Sequence, residues 1–290
     1  MTSRREFLIG SLGLVAGAAV TGFAAPVSRH PIVDTHTHFY DPTRPEGVPW
    51  PGKDDKQLYR RVLPEDFERL AKPLGVTGTV VVEASPWVED NQWILDMAKR
   101  DTTLMGLVGH LEPTAADFAA NLERFHKNKL FLGIRLGAKA IADCLATPAM
   151  LANLKLLADA NLMIDAIGQP EVLEGVARLS DKIPALRIVI DHLPYNPPKM
   201  LAELSKRPRV YAKVSGGLPS KEALDELWQV FGEDRLIYGS NWPVSDRVAP
   251  YGEIFKHVQA YFASKGRAAS EKYFWKNSQI AYRWTARAGG

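Results

Sequence analysis

The chain has 290 residues, 46% of them hydrophobic and 24% charged, with a formal net charge of +3. That length accommodates one large α/β domain or two small ones, and so weak and evenly spread a charge argues against nucleic acid as a partner. The single cysteine, Cys144, excludes an intramolecular disulfide and a thiolate metal cluster.

The chain opens with Ser3-Arg4-Arg5-Glu6-Phe7-Leu8, a twin-arginine pattern, and then an apolar run from Phe7 to Phe23. Small residues, Gly22, Ala24 and Ala25, precede Pro26. Residues 1–25 therefore read as an export signal handled by the twin-arginine machinery, which delivers a folded protein to the periplasm. The alternative is an uncleaved inner-membrane anchor, for which the run is a little short of the roughly 20 apolar residues a span needs.

After the leader, short aliphatic runs alternate with longer amphipathic stretches. Strands are expected at residues 32–36, 79–84, 105–110, 132–136, 163–167, 187–192, 210–215 and 236–240. Near-continuous β-branched and aliphatic runs suit parallel strands buried on both faces. Helices are expected from Pro64, where acids follow a proline, and at 90–99, 115–127, 148–160, 171–179, 198–206 and 221–231, with a last set around 251–263 and 271–284. Cys144 reads as a packed helix residue, since Asp143 and Leu145 offer it no base. Eight strand–helix units across residues 26–290 predict a single (β/α)₈ TIM barrel, with a doubly wound open sheet as the alternative. No glycine-rich phosphate loop follows any strand.

One connection departs from this rhythm. Residues 41–63, rich in proline, glycine, tryptophan and charge, follow the first strand and so belong to the face where barrel active sites lie. Trp50 and Tyr59 are candidates to cover a substrate there; a proline-stiffened surface loop is the plainer reading.

Polar residues gather where the strands end. The first strand carries Asp34, His36 and His38, which simple alternation places on one face. The second ends at Glu83, the third at His110 and the fourth at Arg135. The fifth carries Asp165, the sixth ends Asp191-His192, the seventh holds Lys213 and Ser215, and the eighth runs into Asn241. A lone ionisable residue at a strand end is usually structural; one at nearly every strand end, above apolar strand bodies, marks a site. Alternation points Asp191 away from His192, which makes Asp191 a less attractive base.

The run Val33-Asp34-Thr35-His36-Thr37-His38 resembles the opening motif of the amidohydrolase superfamily. The likeness continues through Gly133-Ile134-Arg135, Val189-Ile190-Asp191-His192-Leu193-Pro194, Tyr211-Ala212-Lys213-Val214-Ser215-Gly216 and Tyr238-Gly239-Ser240-Asn241-Trp242-Pro243-Val244. Together these resemble the amidohydrolase-related branch containing lactonases for sugar lactones and 2-pyrone-4,6-dicarboxylate. The resemblance implies a hydrolase of an ester-like carbonyl, in which His36, His38 and His192 gather around the carbonyl oxygen or around one divalent metal. Three histidines suit zinc, and a metal-independent site is the other option. Arg135 and Lys213 would anchor an anionic or hydroxyl-rich substrate.

Asn241 stands where many relatives carry an aspartate as metal ligand or base, and an amide cannot take that proton. Asp246 or Glu83 could replace it, or one of the histidines could. The alternatives to a lactone hydrolase are a metal-dependent non-oxidative decarboxylase and a non-catalytic periplasmic binding protein on a degenerate barrel. A homo-oligomer is compatible with either.

Overall fold

The computed structural model describes residues 30–168, 170–194 and 198–287; the expected leader at residues 1–25 lies outside them. Eight strands pair in parallel, each with the next in sequence: β1 (Val33–Thr37), β2 (Gly78–Val82), β3 (Leu104–Gly109), β4 (Phe131–Gly137), β5 (Met163–Ile167), β6 (Arg187–Leu193), β7 (Val210–Val214) and β8 (Leu236–Tyr238). Helices fill the connections from α1 (Pro64–Ala71) to α9 (Tyr251–Ser264), as a (β/α)₈ barrel requires. Strand aliphatics fill the barrel itself, where Val80, Val108, Met163 and Val189 pack with Tyr282 and Trp284 from the C-terminal segment.

The barrel closes through a seam rather than a regular ladder. Between β8 and β1 the strand-like contact is a single parallel bridge, Thr37 with Trp242. Main-chain bonds carry it further: His38 N–H donates to the Trp242 carbonyl at 2.9 Å and Asn241 N–H to the His36 carbonyl at 2.8 Å. Thr35 Oγ1 donates to the Tyr238 carbonyl at 2.6 Å. Asp34, fully buried, then clamps both strands, because its Oδ1 accepts from His36 N–H (3.1 Å) and Ser240 N–H (2.8 Å) while Oδ2 accepts from the Tyr251 hydroxyl (3.1 Å).

That clamp corrects the expected alternation. The β1–β2 register shifts between Asp34 and Thr37, so strict period two fails there. Asp34 faces Tyr251 on the outer helix α9, whereas His36 faces Asp191 of β6. Asp34 supports the site from behind and is not in it.

Two helical regions also differ from expectation. A further helix, α4 (Ala138–Ala146), follows β4 directly before α5 (Pro148–Asp159), which Thr147 caps by accepting from Met150 N–H at 3.3 Å. It holds Cys144, whose thiol burial pushes up to about 11, leaving it inert. The C-terminal helix is broken into α10 (Arg267–Glu271), a π turn at Lys272–Lys276 and α11 (Asn277–Tyr282). The π turn stacks Tyr273 on Phe262 with ring centroids 3.5 Å apart, a packing gain that a continuous helix would forgo.

Candidate active site

At the C-terminal mouth of the barrel lies a cavity of about 350 Å³ lined by His38, Trp50, Glu83, Ala84, Arg135, Ile167, His192, Asn241 and Val244. Its lining mixes polar and apolar side chains, and its volume falls within the range of small-molecule sites. His36 lies directly beneath, fully buried, its ring centroid 5.0 Å from that of His38 and 4.6 Å from that of His192. Glycine at 239 permits this approach, since a Cβ there would come within 2.8 Å of His36 Cβ.

Three consecutive strands run into left-handed residues at the cavity: His192 (φ 59°) and Asn241 (φ 62°), which carry side chains into the site, and between them Gly216 (φ 89°), where a Cβ would come within 3.4 Å of His192 Nδ1 and 3.5 Å of Asn241 Nδ2. The turn at His192 corrects the expectation that Asp191 points away from it. With φ positive, the strand's alternation ends one residue early, and adjacent side chains enter the same site. Asp191 is fully buried at its floor, with Oδ1 2.8 Å from Lys213 Nζ and 3.5 Å from His36 Nδ1, and Oδ2 3.2 Å from Arg135 Nε. The strand-end pattern and the Asp191-His192 motif both contain it, but its direction was hidden, because the backbone reversal that admits it has no signature in the residue string.

Hydrogen-bond partners settle the histidine tautomers. A carbonyl only accepts, so His38 Nδ1–H donates to the Val82 carbonyl at 3.0 Å and Nε2 carries the lone pair. The Asn241 carboxamide lies 3.2 Å from that nitrogen, and a lone pair there calls for the amide's N–H end rather than its oxygen. A guanidinium only donates, so Arg135 Nη2–H donates to His192 Nε2 at 3.2 Å, and Nδ1–H of His192 donates to Ser215 Oγ at 2.9 Å. Burial keeps all three rings neutral: it lowers His38 to about 3 with Arg135 adding to it, lowers His192 to about 4, and drives His36 well down against the pull of Asp191. These imidazoles are lone-pair acceptors. Arg135 and the Asn241 amide are the donors that line the cavity.

The carboxylates behave differently. Burial raises Glu83 above its ordinary value, although Arg135 Nη1, 3.9 Å from Oε1, pulls the other way. Burial also pushes Asp191 up, but Lys213, His36 and Arg135 together outweigh it and hold the group ionised. Asp165 is raised by burial and by the Asp191 charge, and its Oδ2 sits 2.6 Å from Lys213 Nζ.

Several expected site residues lie elsewhere. Lys213 is fully buried between Asp165 and Asp191, where no substrate reaches it. Among the described residues the cavity lining includes neither Tyr59 nor Asp246. Asp246 is half-buried, 3.9 Å from Arg60, and Tyr59 follows a turn in which its N–H donates to the Asp55 carbonyl. Trp50 does reach the cavity, with its ring edge-on to His38 at 5.8 Å and to Tyr40 at 5.4 Å.

The donor set suits a divalent metal. His36 is fully buried, its Nε2 lacks a hydrogen-bond partner among the described residues and its Nδ1 has only the long 3.5 Å contact with Asp191 Oδ1, an expensive arrangement for a polar ring. Ligand atoms of His36, Asp191 and His192 all lie within 4.8 Å of one another. This cluster contains Asp191 and, of the three histidines expected to gather, His36 and His192 but not His38.

Comparison with known proteins identifies the family. The sequence model of the amidohydrolase family matches residues 33–284. The chain is 30% identical over 242 residues to an L-fucono-1,5-lactonase of Burkholderia ambifaria, covering 76% of this chain and 83% of that one. It is 25% identical over 277 residues to an L-fucono-1,5-lactonase of Burkholderia multivorans, covering 84% and 92%. A crystal structure of an amidohydrolase from Burkholderia multivorans with bound zinc superposes with a TM-score of 0.79 over 88% of this chain and 100% of that one; at 21% identity the likeness concerns the fold.

Proposed function

The chain belongs to the amidohydrolase family, on its lactonase-like branch, and from that premise we propose that it hydrolyses the lactone of a neutral sugar acid. The observation that carries the substrate class is the charge of the cavity. Among the described lining residues the only permanent cation is Arg135, already facing Asp191 and Glu83. A dianionic pyrone dicarboxylate would enter with no unmatched cation to receive it. A polyhydroxylated neutral ring instead finds donors on Arg135 and Asn241, an acceptor in the Glu83 carboxylate, and apolar surface on Trp50, Ile167 and Val244.

In this reading Arg135 directs a guanidinium N–H at the carbonyl oxygen, where negative charge develops. Glu83 takes a proton from water as the water oxygen bonds to the carbonyl carbon. The ring C–O bond then breaks, and the proton on Glu83 passes to the departing alkoxide, leaving a hydroxy acid that ionises. His36, Asp191 and His192 would hold a divalent metal, which when bound supplies Lewis-acid polarisation of the same carbonyl.

The test is a pH-indicator assay with L-fucono-1,5-lactone, other neutral aldono-1,5-lactones and 2-pyrone-4,6-dicarboxylate side by side. Neutral lactones should be opened well above their spontaneous rate. Preference for the pyrone, or opening of none of them, would sink the reading.

We also propose that residues 1–25 direct export, on the strength of the Arg4-Arg5 pair and the apolar run behind it. Replacing both arginines by lysine should leave the protein in the cytoplasmic fraction. Unchanged distribution on cell fractionation would refute it.

A further inference from the structure

Arg135 does more than line the cavity: it bridges two members of the candidate metal cluster. Its Nε lies 3.2 Å from Asp191 Oδ2, and its Nη2–H donates to His192 Nε2 at 3.2 Å. The side chain is only 10% exposed, so the guanidinium is held among these groups and not waving in solvent. A cation therefore already sits between the carboxylate and the imidazole that a metal would bridge. His192 has no spare nitrogen, because Nδ1–H is committed to Ser215 and Nε2 has a single lone pair. One lone pair serves one partner at a time.

We propose that the Arg135 guanidinium and a divalent metal ion are alternative occupants of the Asp191–His192 pair, so that Arg135 controls metal loading. His36 fits the same scheme. Its Nε2 has no hydrogen-bond partner among the described residues and its Nδ1 has only Asp191 Oδ1, 3.5 Å away, while Arg135 is seated, and a metal would engage one of these nitrogens. Either occupant puts positive charge at the Asp191–His192 pair. Lys213 cannot replace Arg135 in this role, since its ammonium is held between Asp165 and Asp191 below the cavity. The proposal rests on the geometry of the site and not on the lactonase reading.

A metal that must displace Arg135 binds with its intrinsic affinity divided by the rarity of the displaced conformer. The experiment is a zinc titration of metal-stripped protein against a chromophoric chelator, with no lactone present, for wild type, Arg135→Met and Arg135→Lys. Arg135→Met keeps the apolar stem and removes both the charge and the donors. It should bind zinc roughly a hundredfold more tightly than wild type, with Arg135→Lys between them. Adding His36→Asn to Arg135→Met should abolish the gain, which locates the metal at this cluster. Thermal unfolding without zinc shows which variants are folded, and if Arg135→Met is not, Arg135→Lys alone must bind more tightly than wild type. Folded Arg135 variants with unchanged zinc affinity, or a gain that survives His36→Asn, would overturn the proposal. Because nothing is turned over, a failed lactone assay leaves this result readable.

Discussion

Among the groups facing the cavity, Glu83 is the strongest base at hand. His192 at about 4 and His38 at about 3 are poor proton acceptors, because burial has stripped the solvation their charged forms need. The same burial acts with opposite sign on a carboxylate and raises Glu83, so one environment weakens the histidines as bases and strengthens the acid. Asp246 is raised too, chiefly by burial, but it lies beside Arg60 and outside the cavity lining. Asn241 fits this arrangement. Its amide can donate to the His38 lone pair 3.2 Å away, whereas a carboxylate there would face that lone pair unless His38 took up a proton against its lowered pKa. The missing acid on the last strand and the neutral histidine on the first are two sides of one contact.

At the scale of elements, the site depends on how β1 meets β8. The seam has one strand-like bridge and two further main-chain bonds, His38 N–H to Trp242 and Asn241 N–H to His36, and side chains reinforce it. Asp34 does most of this, since it is the acceptor for three donors on the two strands and α9. Asp34→Ala would leave those donors unpaired in a dry interior and should cost about 3 to 5 kcal/mol in urea unfolding. Asp34→Asn, which keeps an acceptor for the two N–H groups, should cost about 1 kcal/mol. An alanine variant as stable as wild type would show that the seam does not need the clamp. The loop over residues 41–63 is tied down in a similar way: Tyr40 and Val62 exchange main-chain hydrogen bonds, the Tyr40 hydroxyl donates to the Leu58 carbonyl, and Arg44 pairs with Asp90 at 2.8 Å. The cavity wall it contributes, Trp50, is thus carried by an anchored segment.

At the scale of the molecule, the barrel was legible because each strand is an aliphatic run and parallel strands buried on both faces need such runs. The gathering of His38, Glu83, Arg135, His192 and Asn241 was legible for a related reason, since a polar residue at the mouth of an apolar strand has one place to point. What the sequence hid depends on backbone geometry. The positive φ of His192 turned Asp191 into the site, and the register shift in β1 turned Asp34 out of it. Lys213 was misplaced for a third reason. A strand-end lysine reads the same whether it meets a ligand or two buried carboxylates from neighbouring strands, and pairing across strands is not written in either one. The short final strand likewise followed from Ser240 N–H turning to Asp34 in place of a ladder.

The central claim, that Glu83 is the base for opening a neutral lactone at this cavity, is tested most directly by the pH dependence of kcat/KM. Wild type and Glu83→Gln are compared on L-fucono-1,5-lactone after subtraction of the spontaneous rate. Only the ionised carboxylate can accept the proton, so wild-type kcat/KM should rise with pH through an apparent pKa above the ordinary 4.5 of a glutamate and then level off. Glu83→Gln should lose about 10² to 10⁴-fold in rate together with that rise, while still binding the lactone. A glutamine variant that keeps wild-type turnover and the same acid limb would contradict the account.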